Sequence, residues 1–97
     1  MQFERDPKKR AANLRKHGLD LVDAVPIFEG PMLALPDTRQ DYGEDRWMGV
    51  GITNGRMTVV AFAECGADCI RIISLRKANR HERKLFEEAV QNELEEG

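Results

Sequence analysis

The chain has 97 residues, 41% hydrophobic and 33% charged, which makes one domain and leaves no room for a second core of useful size. That composition is too apolar for a disordered chain, and the longest uninterrupted apolar run, Val59 to Ala63, is far too short to span a membrane. Size excludes large multidomain enzymes and dinucleotide-binding folds, and the polar start Met1-Gln2-Phe3-Glu4-Arg5-Asp6 is no secretory segment, so a cytoplasmic protein is expected.

The first predicted element is a short strand around Phe3. Asp6-Pro7 then reads as an N-cap followed by proline at the first helical position, where its missing N–H goes unneeded. The helix runs through Ala11, Ala12, Leu14 and Arg15 to Gly18, which suits a left-handed stop, and it shows Lys8, Lys9, Arg15 and Lys16 outward. Asp20 caps a second short helix with Asp23 in its first turn. Leu21, Ala24, Val25 and Phe28 follow helical spacing and predict a buried face. Pro26 predicts a kink, and Gly30-Pro31 ends the element.

The middle of the chain is strand-like. Met32 to Leu35 is a short apolar run, stopped by Pro36-Asp37. From Trp47 to Thr53, Met48, Val50 and Ile52 alternate with Trp47, Gly49 and Gly51. Asn54-Gly55 predicts a tight hairpin, with Met57 to Ala63 as the return strand. A turn at Cys65 to Asp68 leads to a third strand, Cys69 to Leu75, which completes an antiparallel meander. From Asn79 the period is helical, with Leu85, Phe86, Ala89, Val90 and Leu94 on one face. That helix either continues to the end or frays in an acidic tail that begins near residue 87. The expectation is a single α+β domain over 1–97: two N-terminal helices on a small antiparallel sheet of about four strands, and a C-terminal helix.

Charge is distributed unevenly. Residues 1–18 hold six Lys/Arg and two acids, residues 70–86 hold six and one, and the intervening 19–69 hold three and nine. Folding that joins the two basic blocks creates a surface attractive to phosphates; the plainer alternative is a set of solvated helix faces. Cys65 and Cys69 supply two ligands where structural zinc needs four, so no metal is expected, and two reduced structural thiols are the reading for a cytosolic chain.

The candidate site residues follow from chemistry. Arg71, Ser74, Arg76 and Lys77 interrupt the apolar last strand, and unpaired guanidinium groups are costly to bury. Arg71 and Arg76 differ in parity, so both serve one site only if a bulge re-aims one or Arg76 lies where the strand ends; alternatively an arginine pairs with Glu44 or Asp45. His17 is either a general acid or base or a helix-end residue that favours the dipole. His81 reads as a surface residue. Glu44-Asp45-Arg46 is either a base with a phosphate clamp or a solvated junction.

These residues together have a family resemblance. Phe3-Glu4-x-Asp6-Pro7, Asn13-Leu14-x-Lys16-His17-Gly18, and Ala24 with Phe28-x-x-Pro31 resemble the BrnT family of bacterial toxins. So do Tyr42-Gly43-Glu44-x-Arg46, Gly51, and Ile70-Arg71-Ile72-Ile73-Ser74-x-Arg76-Lys77-Ala78 followed by Glu82-Arg83. The resemblance covers residues 3 to about 86. It implies a RelE-like fold and a metal-independent ribonuclease without cofactor, the toxin of a type II toxin–antitoxin system that cleaves RNA, inhibits translation and arrests growth. The implied partner is a DNA-binding antitoxin of the BrnA type in a 2:2 heterotetramer, with DNA contacted only through the antitoxin. Site residues carried over are His17, Glu44, Arg71 and Arg76 as catalytic candidates, with Lys16, Arg46, Ser74 and Lys77 as substrate contacts; Arg80, at the start of the last helix, is added to the contacts. Arg5 stands where relatives have tryptophan, and Phe86 where they tend to have tyrosine. If that phenol is catalytic, the chain is instead a weak or inactive homologue that binds RNA or the antitoxin.

Overall fold

A computed structural model describes residues 1–96, with side chains described through Glu93, so the expected role of Leu94 lies outside the described side chains. The elements are β1 (Gln2–Glu4), α1 (Pro7–His17), a 3₁₀ turn (Leu21–Ala24), α2 (Val25–Glu29), β2 (Leu33–Pro36), β3 (Trp47–Thr53), β4 (Arg56–Gly66), β5 (Cys69–Lys77) and α3 (Arg80–Glu96). All five strands join one sheet in the order β1-β5-β4-β3-β2. The mixed α+β class is as expected, with two differences. The sheet has five strands rather than about four, and it is not wholly antiparallel, because β1 runs parallel to β5. The Phe3 segment joins the sheet because the outer edge of β5 offers backbone groups that need partners; Phe3 then packs on Phe28, with ring centroids 5.4 Å apart.

The helix boundaries follow local chemistry. The Asp6 carboxylate accepts from the Lys8 N–H, and Gly18 adopts φ +69° while its N–H donates to the Leu14 carbonyl. Pro26 and the preceding residues do not sustain one helix. The segment splits into the 3₁₀ turn, capped by Asp20, and the five-residue α2. At the hairpin, Asn54 (φ +50°) and Gly55 (φ +75°) take the two positive angles of the expected turn.

Two cores flank the sheet. On one face Leu21, Ala24 and Ile27 pack against Val60, Phe62, Ile70, Ile72 and Leu75; on the other, Phe86 of α3 packs against Val50 and Val59. Close approach of α2 depends on glycine in β3. A Cβ on Gly51 would lie 2.6 Å from Cγ2 of the buried Ile27 and 3.3 Å from the Pro31 carbonyl oxygen. Gly51→Ala is therefore expected to destabilise the fold by about 1–3 kcal/mol, read as a thermal midpoint lowered by roughly 4–8 °C per kcal/mol. An unchanged midpoint would mean that α2 shifts outward freely.

α1 departs from the expected packing. Only Asn13 is buried among its residues, and Leu14 is 51% exposed. The helix is held to the β5 edge by Asn13 instead of by an apolar stripe. Its Nδ2 donates to the carbonyls of Leu19 and Leu75, both at 2.8 Å, and its Oδ1 accepts from the Leu75 N–H at 3.0 Å. Beyond the point where β1 ends, one side chain thus takes the place of a neighbouring strand. This contact brings the carboxyl end of α1 beside β5.

The cysteines also differ from expectation. Cys65 and Cys69 form a disulfide, with Cα atoms 5.1 Å apart. Across the β4–β5 turn Cys69 pairs with Gly66, and Cys65 is the extra residue at the register shift beside that pair, at a separation that a disulfide spans, which the sequence spacing alone did not reveal.

Candidate functional site

The bulge in β5 decides which side chains share a face. Ser74 pairs with Ala61, but Ile72 pairs with Phe62, so Ile73 is an extra residue. Leu75 thereby joins Ile70 and Ile72 in the first core, and Arg71, Ser74 and Arg76 fall on the face that carries α3. The parity conflict between the two arginines is resolved by the first of the two routes anticipated. Alternation then places Lys77 on the opposite face, with Leu75.

α3 covers only part of its face. The uncovered part forms a hollow of about 300 Å³ with a floor of Met48, Val59, Ala61 and Ser74 and walls from Lys16, His17, Arg39 and Arg76. Four residues anticipated from sequence therefore meet here: Lys16, His17, Ser74 and Arg76. Lys16 and His17 arrive at the carboxyl end of α1, which Asn13 ties to β5. Arg39 comes from the β2–β3 loop.

Both arginines are held from behind by carboxylates. Arg76 donates from Nη1 and Nη2 to the two carboxylate oxygens of Glu82, each at 2.8 Å, and from Nη1 to the Lys77 carbonyl. Glu82 is also fixed at the start of α3 by a reciprocal cap with Asn79. The Arg76 bond, aided by the Asn79 N–H, holds the Glu82 carboxyl below its usual range. Of five guanidinium N–H donors, two on Arg76 stay unused among the described residues. Arg39 donates from Nε and Nη2 to Asp37, each at 2.8 Å, and Tyr42 donates its hydroxyl to the same carboxylate, so three of the five Arg39 donors are not spent on Asp37. Arg39 and Arg76 are close enough that the charge of Arg39 works against that of Arg76. An anion between them relieves this repulsion.

Asp37 is buried, with its side chain 1% exposed. Hydrogen bonding from Arg39 is the main cause that lowers its carboxyl from 3.8 to about 2. The folded value lies below the unfolded one, so this pair stabilises the fold above about pH 4 and is lost as pH falls from about 4 to about 2. The contribution is expected to be about 1–2 kcal/mol, below the full shift because Arg39 is 62% exposed and screened by solvent. Acid unfolding of Asp37→Asn should lose this part of its pH dependence, while an unchanged acid limb would contradict the assignment.

Glu44, Arg46 and Arg71 lie elsewhere. Glu44 accepts from both Arg71 and Arg46, first Arg71 and then Arg46 holding its carboxyl below the usual range, and Arg46 stacks over the Tyr42 ring at 4.1 Å. Arg71 lines a separate, open groove with Phe3, Arg10 and Leu14, and Glu44 and Arg46 line a third cavity formed by the β2–β3 loop. Arg71 and Arg76 sit opposite Ala63 and Val59, four residues or roughly 13 Å apart along the strand. The expectation that both converge on one patch is therefore corrected, since each turns to its own carboxylate. Arg80 is exposed at the start of α3. Phe86 is 5% exposed in the second core and does not line the hollow.

Among the described residues, the one cluster of three potential metal ligands is Glu4 with Cys65 and Cys69, and both sulfurs are committed to the disulfide. Sequence reading missed Arg39, Asp37 and the role of Asn13. The Asp37-x-Arg39 spacing was a usable signal for a local ion pair. Asn13 stood inside the motif that ends in Lys16-His17-Gly18, but its partner is 62 residues away. No helix among the described residues is long and apolar enough to cross a membrane.

Residues 6–82 match the profile of a family described as the ribonuclease toxin, BrnT, of type II toxin–antitoxin systems. No significant match is found among curated proteins. Among solved structures, the fold is similar to the crystal structure of the Brucella abortus ribonuclease toxin BrnT. The TM-score is 0.69 at 32% identity, over 82% of this chain and 99% of that one.

Proposed function

The chain belongs to the BrnT family of ribonuclease toxins of type II toxin–antitoxin systems, and from that premise we propose that it cleaves RNA without a metal ion, in the hollow beside α1. The observation that carries this reading is the convergence of Lys16, His17, Arg39, Ser74 and Arg76 on one cavity. Cleavage needs a base for the ribose 2′-hydroxyl, cations for the crowded phosphate and a proton for the leaving oxygen. The unused donors of Arg39 and Arg76 hold the scissile phosphate, since planar guanidinium groups match phosphate oxygens. His17 accepts the 2′-hydroxyl proton while the 2′-oxygen bonds to phosphorus. The bond to the 5′-oxygen breaks, and that oxygen leaves beside Lys16 and is protonated from there or from water. The products are a 2′,3′-cyclic phosphate and a 5′-hydroxyl.

Glu44 and Arg71 drop out of the reacting centre in this reading. A carboxylate engaged by two guanidinium groups is a weak base, and its cavity is not the one that holds His17. Lys77, on the opposite face of the sheet, drops out as well, and Arg80 becomes a peripheral contact. The buried position of Phe86 supports activity that needs no phenol there. Cleaved messenger RNA would halt translation in the cytoplasm, and a DNA-binding antitoxin of the BrnA type, two with two toxins, would neutralise it. The fold would be of the RelE kind.

The test is cleavage of single-stranded RNA by purified protein in excess chelator. Wild type is expected to cut, and Arg76→Ala to cut about a hundredfold more slowly, since loss of one transition-state phosphate ligand costs about 3 kcal/mol. Cleavage abolished by the chelator would overturn metal independence, and equal rates would remove Arg76 from the site.

A further inference from the structure

We infer that one side of α1 is a track for the RNA backbone, leading substrate into the hollow. This rests on the reading that the hollow binds RNA. At 100° per residue, Lys8, Lys9, Arg15 and Lys16 fall within an arc of about 120°, with the small Ala12 at its centre. Asn13, bound to β5, lies to one side of this arc. Leu14, Ala11 and Pro7 lie beyond its other edge and line the open groove with Arg71.

The stripe has features that separate it from an ordinary solvated face. α1 contains no acidic residue, and none of these four cations makes an ion pair among the described residues, whereas Arg10, outside the arc, is paired with Asp20. All four side chains are exposed. The stripe also ends at the hollow, because Lys16 belongs to both. The Asn13 bonds to Leu19 and Leu75 fix the helix against β5, so the cations hold a set orientation relative to His17 and Arg76. Lys8 to Lys16 spans about 12 Å at 1.5 Å per residue, enough for a few phosphates. RNA is favoured over an acidic protein segment because the row is continuous with a cavity built for a phosphate.

The test uses full-length protein and a 12-nucleotide RNA with every 2′-oxygen methylated, which binds but cannot be cut. Affinity is measured by fluorescence anisotropy between 50 and 300 mM salt, for wild type and for the triple variant Lys8→Ala, Lys9→Ala, Arg15→Ala. Lys16 stays in place, and alanine favours the helix, so folding is retained. With about 0.7 counterions released per neutralised phosphate on a single strand, the log–log salt slope of the variant is expected to fall by about 2 and its affinity at 0.1 M salt by at least tenfold. Cleavage of a dinucleotide, too short to reach the track, should be unchanged.

An equal slope in both proteins would overturn the proposal, including the case in which the variant loses only its antitoxin. The two readings fail separately. A wild type that cleaves no RNA but shows the slope difference loses the catalytic reading and keeps the track. A variant with normal slope and normal dinucleotide cleavage does the reverse.

Discussion

Replacing His17 with alanine is expected to lower RNA cleavage by about 10²–10⁴-fold, the contribution typical of a positioned acid or base, and to leave stability nearly unchanged. The imidazole is half-buried at the end of α1 and makes no hydrogen bond to another described residue, so its removal orphans nothing. The informative companion is Arg71→Ala. Arg71 is a catalytic candidate on the same sequence grounds as His17, yet it is paired with Glu44 and lines a different groove. Its loss should change cleavage by only a few-fold. A single-turnover rate measurement on both variants decides the matter. Near-normal cleavage by His17→Ala, or a collapse in Arg71→Ala, would move the reacting centre away from the hollow.

The largest effect on stability is expected at Asn13. In Asn13→Asp the side chain keeps an acceptor for the Leu75 N–H, but it faces the carbonyls of Leu19 and Leu75 with oxygen where Nδ2 donated. Two buried carbonyls lose their donor at about 1–3 kcal/mol each, and a buried charge is added. A loss of about 4 kcal/mol or more is expected, a large share of the stability of a domain this size. Denaturant unfolding of Asn13→Asp and Asn13→Ala measures it, with alanine the milder of the two. Because Asn13 orients α1, Asn13→Ala should also weaken cleavage under conditions where it remains folded. Wild-type stability in both variants would contradict the strand-replacing role.

Both predictions turn on features of unequal legibility. The ends of α1 and the β3–β4 hairpin were readable because Asp6-Pro7, Gly18 and Asn54-Gly55 act on backbone within a few residues of themselves. The place of Lys16 and His17 was not readable in that way, because it depends on Asn13 reaching across to Leu75. The shared face of Arg71 and Arg76 depended on one extra residue, Ile73, which a regular alternation of strand residues cannot anticipate. The two arginines still serve different clusters because Glu82 and Glu44, set by α3 and by the β2–β3 loop, each capture one of them. Arg39 went unnoticed because a turn residue beside an aspartate looks like surface. Its importance comes from the burial of Asp37, which only tertiary packing supplies. The disulfide likewise required the β4–β5 register, as spacing along the chain does not say whether two cysteines face each other.

In the proposed mechanism the scissile phosphate sits between Arg39 and Arg76 beside His17. A crystal structure of the protein with a dinucleotide carrying a 2′-deoxy ribose at the scissile position tests it most directly. Phosphate density is expected within hydrogen-bond distance of both guanidinium groups, with the sugar facing the His17 imidazole. Phosphate bound instead among Arg71, Arg46 and Glu44, with the hollow empty, would contradict it.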